Sequence, residues 1–296
     1  MHHGRILNHL IQFVLILSMA ISGRAFADDL VMMSIASGDK DPRSIYTLEL
    51  INLIMERTRA THGDYRIVND PGLTRNRALA EMLKGDRLNL REETTNFEWE
   101  QKTIAVRIPL RRGLLSYRLL MVKEKNLAHF RSITTIRQLQ NTSAGLLADW
   151  VTADVLKQNG FKVVDAGSYQ GLFNMLSRGR FLYCPRGMSE IYGELQVQNQ
   201  EFPDLRIEPT LALYIPQPTY LFVSPHFPEL AKRVEEGLLA MIDDGSFESL
   251  FNKHFDLEFI KNDFKKRKIF SIKNEFVPDN TWAFERPDLW LKLTTD

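Results

Sequence analysis

PELAKRVEEGLLAMIDDGSFESLF, residues 228–251, reads as two amphipathic helices in succession. Pro228 suits a first helical turn, and Leu230, Val234, Leu238, Met241 and Ile242 recur on one face until Gly245 stops the run. Ser246 stands where a cap is needed, and Phe247, Leu250, Phe251 and Phe255 share one side of the second helix. An apolar strand at residues 219–224 precedes the pair. Helices with a single apolar stripe must cover a sheet, so further strands are expected upstream.

They are there. Residues 30–36 form a short apolar run suited to a buried strand. A loop follows, then a helix with Ile45, Leu48, Ile51, Ile54 and Met55 on one face. Tyr65–Asn69 reads as a strand and Arg75–Lys84 as a helix stopped by Gly85. Residues 117–122 give a strong strand, and Thr134 or Thr135 caps a short helix through Leu139. Residues 144–147, 161–165 and 181–184 are further strands. Helices over residues 150–159 and 169–178, ended by Gly160 and Gly179, separate them. This alternation implies an α/β architecture with mostly parallel sheets covered on both faces. No internal repeat or flexible linker divides the chain, so two lobes are expected to share it by crossing over.

In order and spacing these elements resemble the type II periplasmic binding proteins, and among them solute-binding family 3, related to the amino-acid-binding components of ABC transporters. The likeness rests on residues 80–86 (AEMLKGD), 104–122, 133–139, 177–181 (SRGRF) and the late helix pair, and spans about residues 30–255. It implies a two-lobed fold, each lobe a mixed, mostly parallel sheet flanked by helices, joined by two crossover hinge strands. Residues 28–118 with 217–296 would form one lobe, and residues 119–216 the other. The hinge would lie near residues 118–123 and 213–219. The implied function is capture of a small polar solute by hinge closure, for transport or sensing, with an inner-membrane permease or a sensor receptor as partner.

The N-terminus fits export. Residues 1–8 carry Arg5, residues 10–21 are almost wholly apolar, and Ala25-Phe26-Ala27 supplies small residues before Asp28. That apolar core is about 12 residues, against roughly 20 for a bilayer-spanning helix, so a cleavable signal over residues 1–27 is expected. No cysteine stands at the cleavage site to take a lipid. The remaining chain, about 270 residues, is long enough for two lobes. A formal net charge of +1 argues against nucleic acid as a partner. One cysteine, Cys184, excludes an internal disulfide and reads as a packing residue. The seven histidines show no metal-ligand spacing, so neither metal nor cofactor is expected, and a monomer is.

In open α/β sheets a ligand sits beyond the carboxyl ends of the strands, where helix N-termini offer unpaired N–H groups. The loops so placed are residues 37–44, 92–96, 148–151, 166–170 and 185–189. In and beside them, and at the crossover strand, stand the candidate ligand-binding residues: Asp39, Tyr46, Thr94, Thr95, Trp99, Arg118, Trp150, Ser168, Tyr169, Arg186 and Glu190. Aromatic walls with a few charged and hydroxyl groups suit a small-solute pocket. Arg111 and Arg112 read as a solvated face, and Glu98 and Glu100 as surface charge.

The resemblance fails at one informative place. The family's arginine for a ligand α-carboxylate falls here at Trp99 or Glu100, and its aspartate for the α-amino group has no counterpart in residues 182–187. An acidic, aromatic loop of Glu98, Trp99 and Glu100 would instead suit a cationic or sugar-like ligand. Two other readings stay open. One is an enzyme on the same fold, resembling the periplasmic cyclohexadienyl dehydratases, with Glu190 or Glu194 as general acid. The other is a partner-binding sensor protein, with the basic, aromatic tail after Phe255 as a strap on the first lobe or a docking site.

Overall fold

The computed structural model describes residues 28–35, 42–70, 72–277, 287–291 and 293. The signal read at residues 1–27 and the candidate Asp39 lie outside them. The chain runs β1 (Asp29–Met33), α1 (Pro42–Arg57), α2 (Arg59–His62), β2 (Tyr65–Asn69), α3 (Arg75–Lys84), β3 (Leu90–Thr94), α4 (Phe97–Lys102) and β4 (Ile104–Val106). It then passes through β5 (Tyr117–Lys123), α5 (Leu127–Arg131), α6 (Ile136–Asn141), β6 (Ala144–Leu147), α7 (Val151–Gln158) and β7 (Val163–Ala166). Next come α8 (Tyr169–Ser177), β8 (Tyr183–Gly187), α9 (Ile191–Gln198), β9 (Leu205–Ile207) and β10 (Leu211–Tyr214). After β11 (Thr219–Val223) follow α10 (Pro228–Asp243), α11 (Ser246–His254), α12 (Leu257–Phe264) and β12 (Lys268–Ser271).

Two mixed sheets result. The first has the order β2-β1-β3-β11-β4, the second β12-β10-β5-β8-β6-β7 with β9 beside β5. Strands separated by a covering helix pair in parallel, as β1 does with β2 and β3, and β6 with β7 and β8. β5 and β11 each enter from the other sheet without such a crossover, and both run antiparallel to their neighbours. The sheets are therefore less uniformly parallel than the helix–strand alternation implies. Residues 107–116 and 215–218 carry the chain between them.

The predicted periodicities mark real burial. Leu50 and Ile54 of α1 and Val234 and Leu238 of α10 are fully buried in one core. Thr135 caps α6 through a reciprocal bond with Gln138. Gly85 ends α3 in the left-handed conformation, its N–H on the Glu81 carbonyl.

Three details differ from the sequence reading. The cap of α11 is Gly245, at φ +75°, and Ser246 is the first helical residue. The Ser246 hydroxyl turns back to the Met241 carbonyl at 3.4 Å instead of capping. Much of the supposed loop at residues 92–96 is strand β3, whose charged residues hide the strand pattern. The segment after Phe255, expected on the first lobe, sends β12 to the edge of the second sheet beside β10.

No helix among the described residues is long and apolar enough to cross a membrane. Nor does any cluster of three or more potential metal ligands occur among them.

Candidate ligand-binding cleft

The carboxyl ends of β1, β2 and β3 face those of β6, β7 and β8 across a cleft of about 630 Å³. Its lining is what that topology predicts: Ser34 after β1, Gly72–Asn76 after β2, Thr94 of β3, Leu147–Thr152 after β6, and Ala166–Tyr169 after β7.

On the first-sheet wall, the consecutive carboxylates Glu92 and Glu93 of β3 each meet an arginine. Arg75, the first residue of α3, lies 2.6 Å from Glu93, which also accepts from Arg91 at 3.2 Å. Burial alone would raise the Glu93 carboxyl, but Arg75 and Arg91 hold it below its ordinary value. Glu92 takes a two-pronged contact from Arg111, at 2.5 and 3.1 Å, and accepts from the Thr47 hydroxyl. Burial would lower the Arg111 guanidinium, yet the facing Glu92 keeps it above its usual value. Arg111 is therefore part of the cleft wall, and its reading as a solvated residue is corrected. Arg112 pairs with Glu248 at 3.0 Å.

On the second-sheet wall Arg186, projecting from β8, is buried over the Trp150 ring at 4.3 Å. Its Nε and Nη2 donate to Glu194 at 2.7 and 2.6 Å, and Nη2 also reaches Glu190 at 3.0 Å. Tyr169 donates its hydroxyl to Glu194 at 2.8 Å. Burial would lower the Arg186 guanidinium, but Glu194 and Glu190 hold it well above its ordinary value. Gly187 makes the convergence possible: a Cβ there would lie 2.3 Å from Leu115 and 3.0 Å from the Glu190 carboxylate. Ser168 caps α8, accepting from the Gly171 N–H at 3.1 Å, which sets Tyr169 against the cleft.

The floor is different in kind. Arg118, the second residue of β5, is buried and donates through Nη2 to the Gln217 side-chain oxygen, which Thr152 also reaches at 3.1 Å. The Nε of Arg118, Nε2 of Gln217, Nη2 of Arg75, and the hydroxyls of Ser34 and Thr219 are buried without hydrogen-bond partners. Burial pushes the Arg118 guanidinium down to about 10, with Glu190 opposing and Arg186 adding to the shift. Buried polar groups are normally satisfied, so this cluster of orphans is unusual. Finally, Asp149, after β6, accepts from the backbone N–H of Arg75 at 2.9 Å. A carboxylate of the second sheet thus docks on a helix N-terminus of the first.

Thr94, Arg118, Trp150, Ser168, Tyr169, Arg186 and Glu190 come together on this cleft. Tyr46, Thr95 and Trp99 do not line it. Tyr46 is core, donating to the Leu110 carbonyl at 2.6 Å against Phe251 and Phe255. Thr95 is buried on Glu100. Trp99 packs on Phe222 because Asn96 caps its helix and turns that face inward. Glu98 pairs with Lys102 and Glu100 with Arg107. The acidic, aromatic loop expected to receive a cationic or sugar-like ligand is therefore no part of the cleft. Cys184 is buried, its thiol pushed up to about 12 by desolvation, in keeping with a packing role. The sequence reading missed Arg75, Arg91, Arg111 and Thr219 of the lining, and Gln217 as the partner of Arg118. Arg75 was reachable: residues 70–75 follow a strand and open a helix, the same rule that selected the other loops.

Solved structures share this architecture. The chain is similar to an ancestral arginine-binding protein bound to arginine, at 16% identity and a TM-score of 0.59, over 78% of this chain and 99% of that one. It is likewise similar to the GluR0 ligand-binding core from Nostoc punctiforme in complex with L-glutamate, at 14% identity and TM-score 0.55, over 77% and 99% of the two chains. A putative L-cystine ABC transporter protein from Listeria monocytogenes matches at 18% identity and TM-score 0.54, over 76% and 95%. The fold is the two-lobed type II periplasmic binding protein fold. No protein-family profile matches the sequence, and no curated protein matches it either.

Proposed function

We propose that the chain is a solute-binding protein, exported to the periplasm, that captures a small polar ligand in the cleft for transport or sensing. The lobes are built on the two sheets, one on β1–β4 with β11 and the other on β5–β10 with β12. They close about the connections that flank β5 and β11, driven by contacts the ligand makes to both sides at once. The observation that carries this reading is the set of buried polar groups without partners on the cleft: Arg75 Nη2 of α3, Arg118 Nε of β5, and the Ser34 and Thr219 hydroxyls. Arg118, Trp150, Ser168, Tyr169, Arg186 and Glu190 are its second-lobe face, and Thr94 belongs to the first. A permease or a membrane receptor would read the closed form. Catalysis is less well supported. Glu194 is fully buried between Arg186 and Tyr169, and Glu190 is engaged by Arg186, so neither stands as a poised general acid.

Thermal unfolding of the purified protein against amino acids, polyamines, sugars, organic acids and inorganic anions tests the proposal. A ligand at 100 times its dissociation constant stabilises the native state by about 2.7 kcal/mol. That corresponds to a rise in Tm of roughly 5–10 °C for a chain of this size. A flat response across every class would overturn small-solute capture.

A further inference from the structure

Taking the cleft as the binding site, we propose that it selects an oxyanion carrying no cationic group, held by Arg118 and Arg75. The wall carboxylates are already engaged. Glu92 accepts from Arg111 and Thr47, and Glu93 from Arg75, Arg91 and the Thr94 N–H. Glu190 accepts from Arg186, and Asp149 from the Arg75 N–H. An ammonium group entering the cleft would have to share carboxylates whose charge is already matched by Arg111, Arg75, Arg91 and Arg186, or by a helix N-terminus at Asp149. Donors on the cleft, by contrast, stand unmet: Arg118 Nε and Arg75 Nη2 are both buried without a partner.

An unpaired buried donor carries its full desolvation penalty until an acceptor arrives, and more so when it is charged. Arg118 shows that penalty. Its position between Arg186 and Gln217 gives it no carboxylate bond of its own, and burial depresses its guanidinium to about 10. A carboxylate, phosphate or sulfate oxygen set against these donors would satisfy them with charge-assisted bonds. Arg75 belongs to the first lobe and Arg118 to the second, so one anion engaging both also draws the lobes together.

Isothermal titration calorimetry of the purified protein tests this. The probes are short mono- and dicarboxylates including glutarate, then inorganic phosphate and sulfate, set against L-glutamate, L-arginine, putrescine and D-glucose. At least one oxyanion is expected to bind. If the binder is a carboxylate, adding an ammonium, as from glutarate to L-glutamate, weakens it by at least roughly tenfold. Carboxylate against mineral anion is decided by which arm responds. Arg118→Gln should weaken the bound oxyanion by roughly 10- to 100-fold. Arg75→Gln, or the wild-type glutarate and L-glutamate comparison alone, serves if that variant does not fold. Binding of a cationic, zwitterionic or neutral probe with no oxyanion bound would overturn the oxyanion assignment and leave solute capture standing. An oxyanion bound equally well by Arg118→Gln would overturn the anchor. Silence from every probe would overturn solute capture as well.

Discussion

Arg118 and Arg186 are buried arginines on adjacent antiparallel strands, with Arg186 opposite Leu119 in the register. Arg186 faces Glu194 and Glu190 and stacks on Trp150; Arg118 faces an amide oxygen. The first is fastened by its own protein and therefore positions the wall. Breaking a buried pair by removing one partner costs far more than replacing both. Glu194→Ala should lower stability by about 3–5 kcal/mol, leaving Arg186 with a single partly exposed carboxylate. Arg186→Met with Glu194→Leu should recover most of that loss. Urea midpoints at unchanged slope decide it, and equal losses in the single and double variants would contradict the pairing. Such pairings are hard to read from sequence. Arg111 looks solvated beside Arg112, and only the fold brings Glu92 to it from β3. Trp150 and Tyr169 are legible because each stands just past a strand, and Arg186 because it lies at the carboxyl end of one, where the topology rule looks. Tyr46 and Trp99 were misread because an aromatic near a loop can turn into the core, and the helix register decides which way.

The elements were more legible than the contacts, since periodicity and caps are local. α3 with Gly85, α6 with Thr135 and the α10–α11 pair follow from spacing and cap residues alone. β3 escaped because Arg91, Glu92 and Glu93 make it read as a charged loop. Glu92 and Glu93 are neutralised by Arg111 and Arg75, distant in sequence, and no local pattern records that. The join between α10 and α11 shows how backbone geometry can outrank side-chain preference. Gly245 sits at φ +75° with open space where a Cβ would go. Gly245→Ala should therefore cost about 1–2 kcal/mol from backbone strain alone. Gly245→Asn should cost less, because asparagine tolerates that region. Ser246→Ala should change stability by no more than about 0.5 kcal/mol, since its hydroxyl caps nothing. Thermal or urea unfolding of the three variants checks the order, and a larger loss at Ser246 than at Gly245 would reverse the assignment of the cap.

At the scale of the molecule, the bond from Asp149 to the Arg75 N–H spans the mouth of the cleft. A hydrogen bond to a charged group contributes about 1.5–3 kcal/mol. Removing it should shift an opening equilibrium by roughly 10- to 100-fold toward the open form. Small-angle scattering of ligand-free Asp149→Ala should give a larger radius of gyration than the wild type. Equal values would mean that the bond does not hold the lobes. The tail has a mechanical consequence as well. Among the described residues the chain passes between the sheets at 107–116, at 215–218, and again from α11 to β12, where Tyr192 meets Asp263 and Tyr117 meets Phe264. A panel hung on two straps can swing and also twist. A third strap, anchored by β12 at the edge of the second sheet, would resist the twist, so that on the proposed closure the two walls would meet in the same alignment each time.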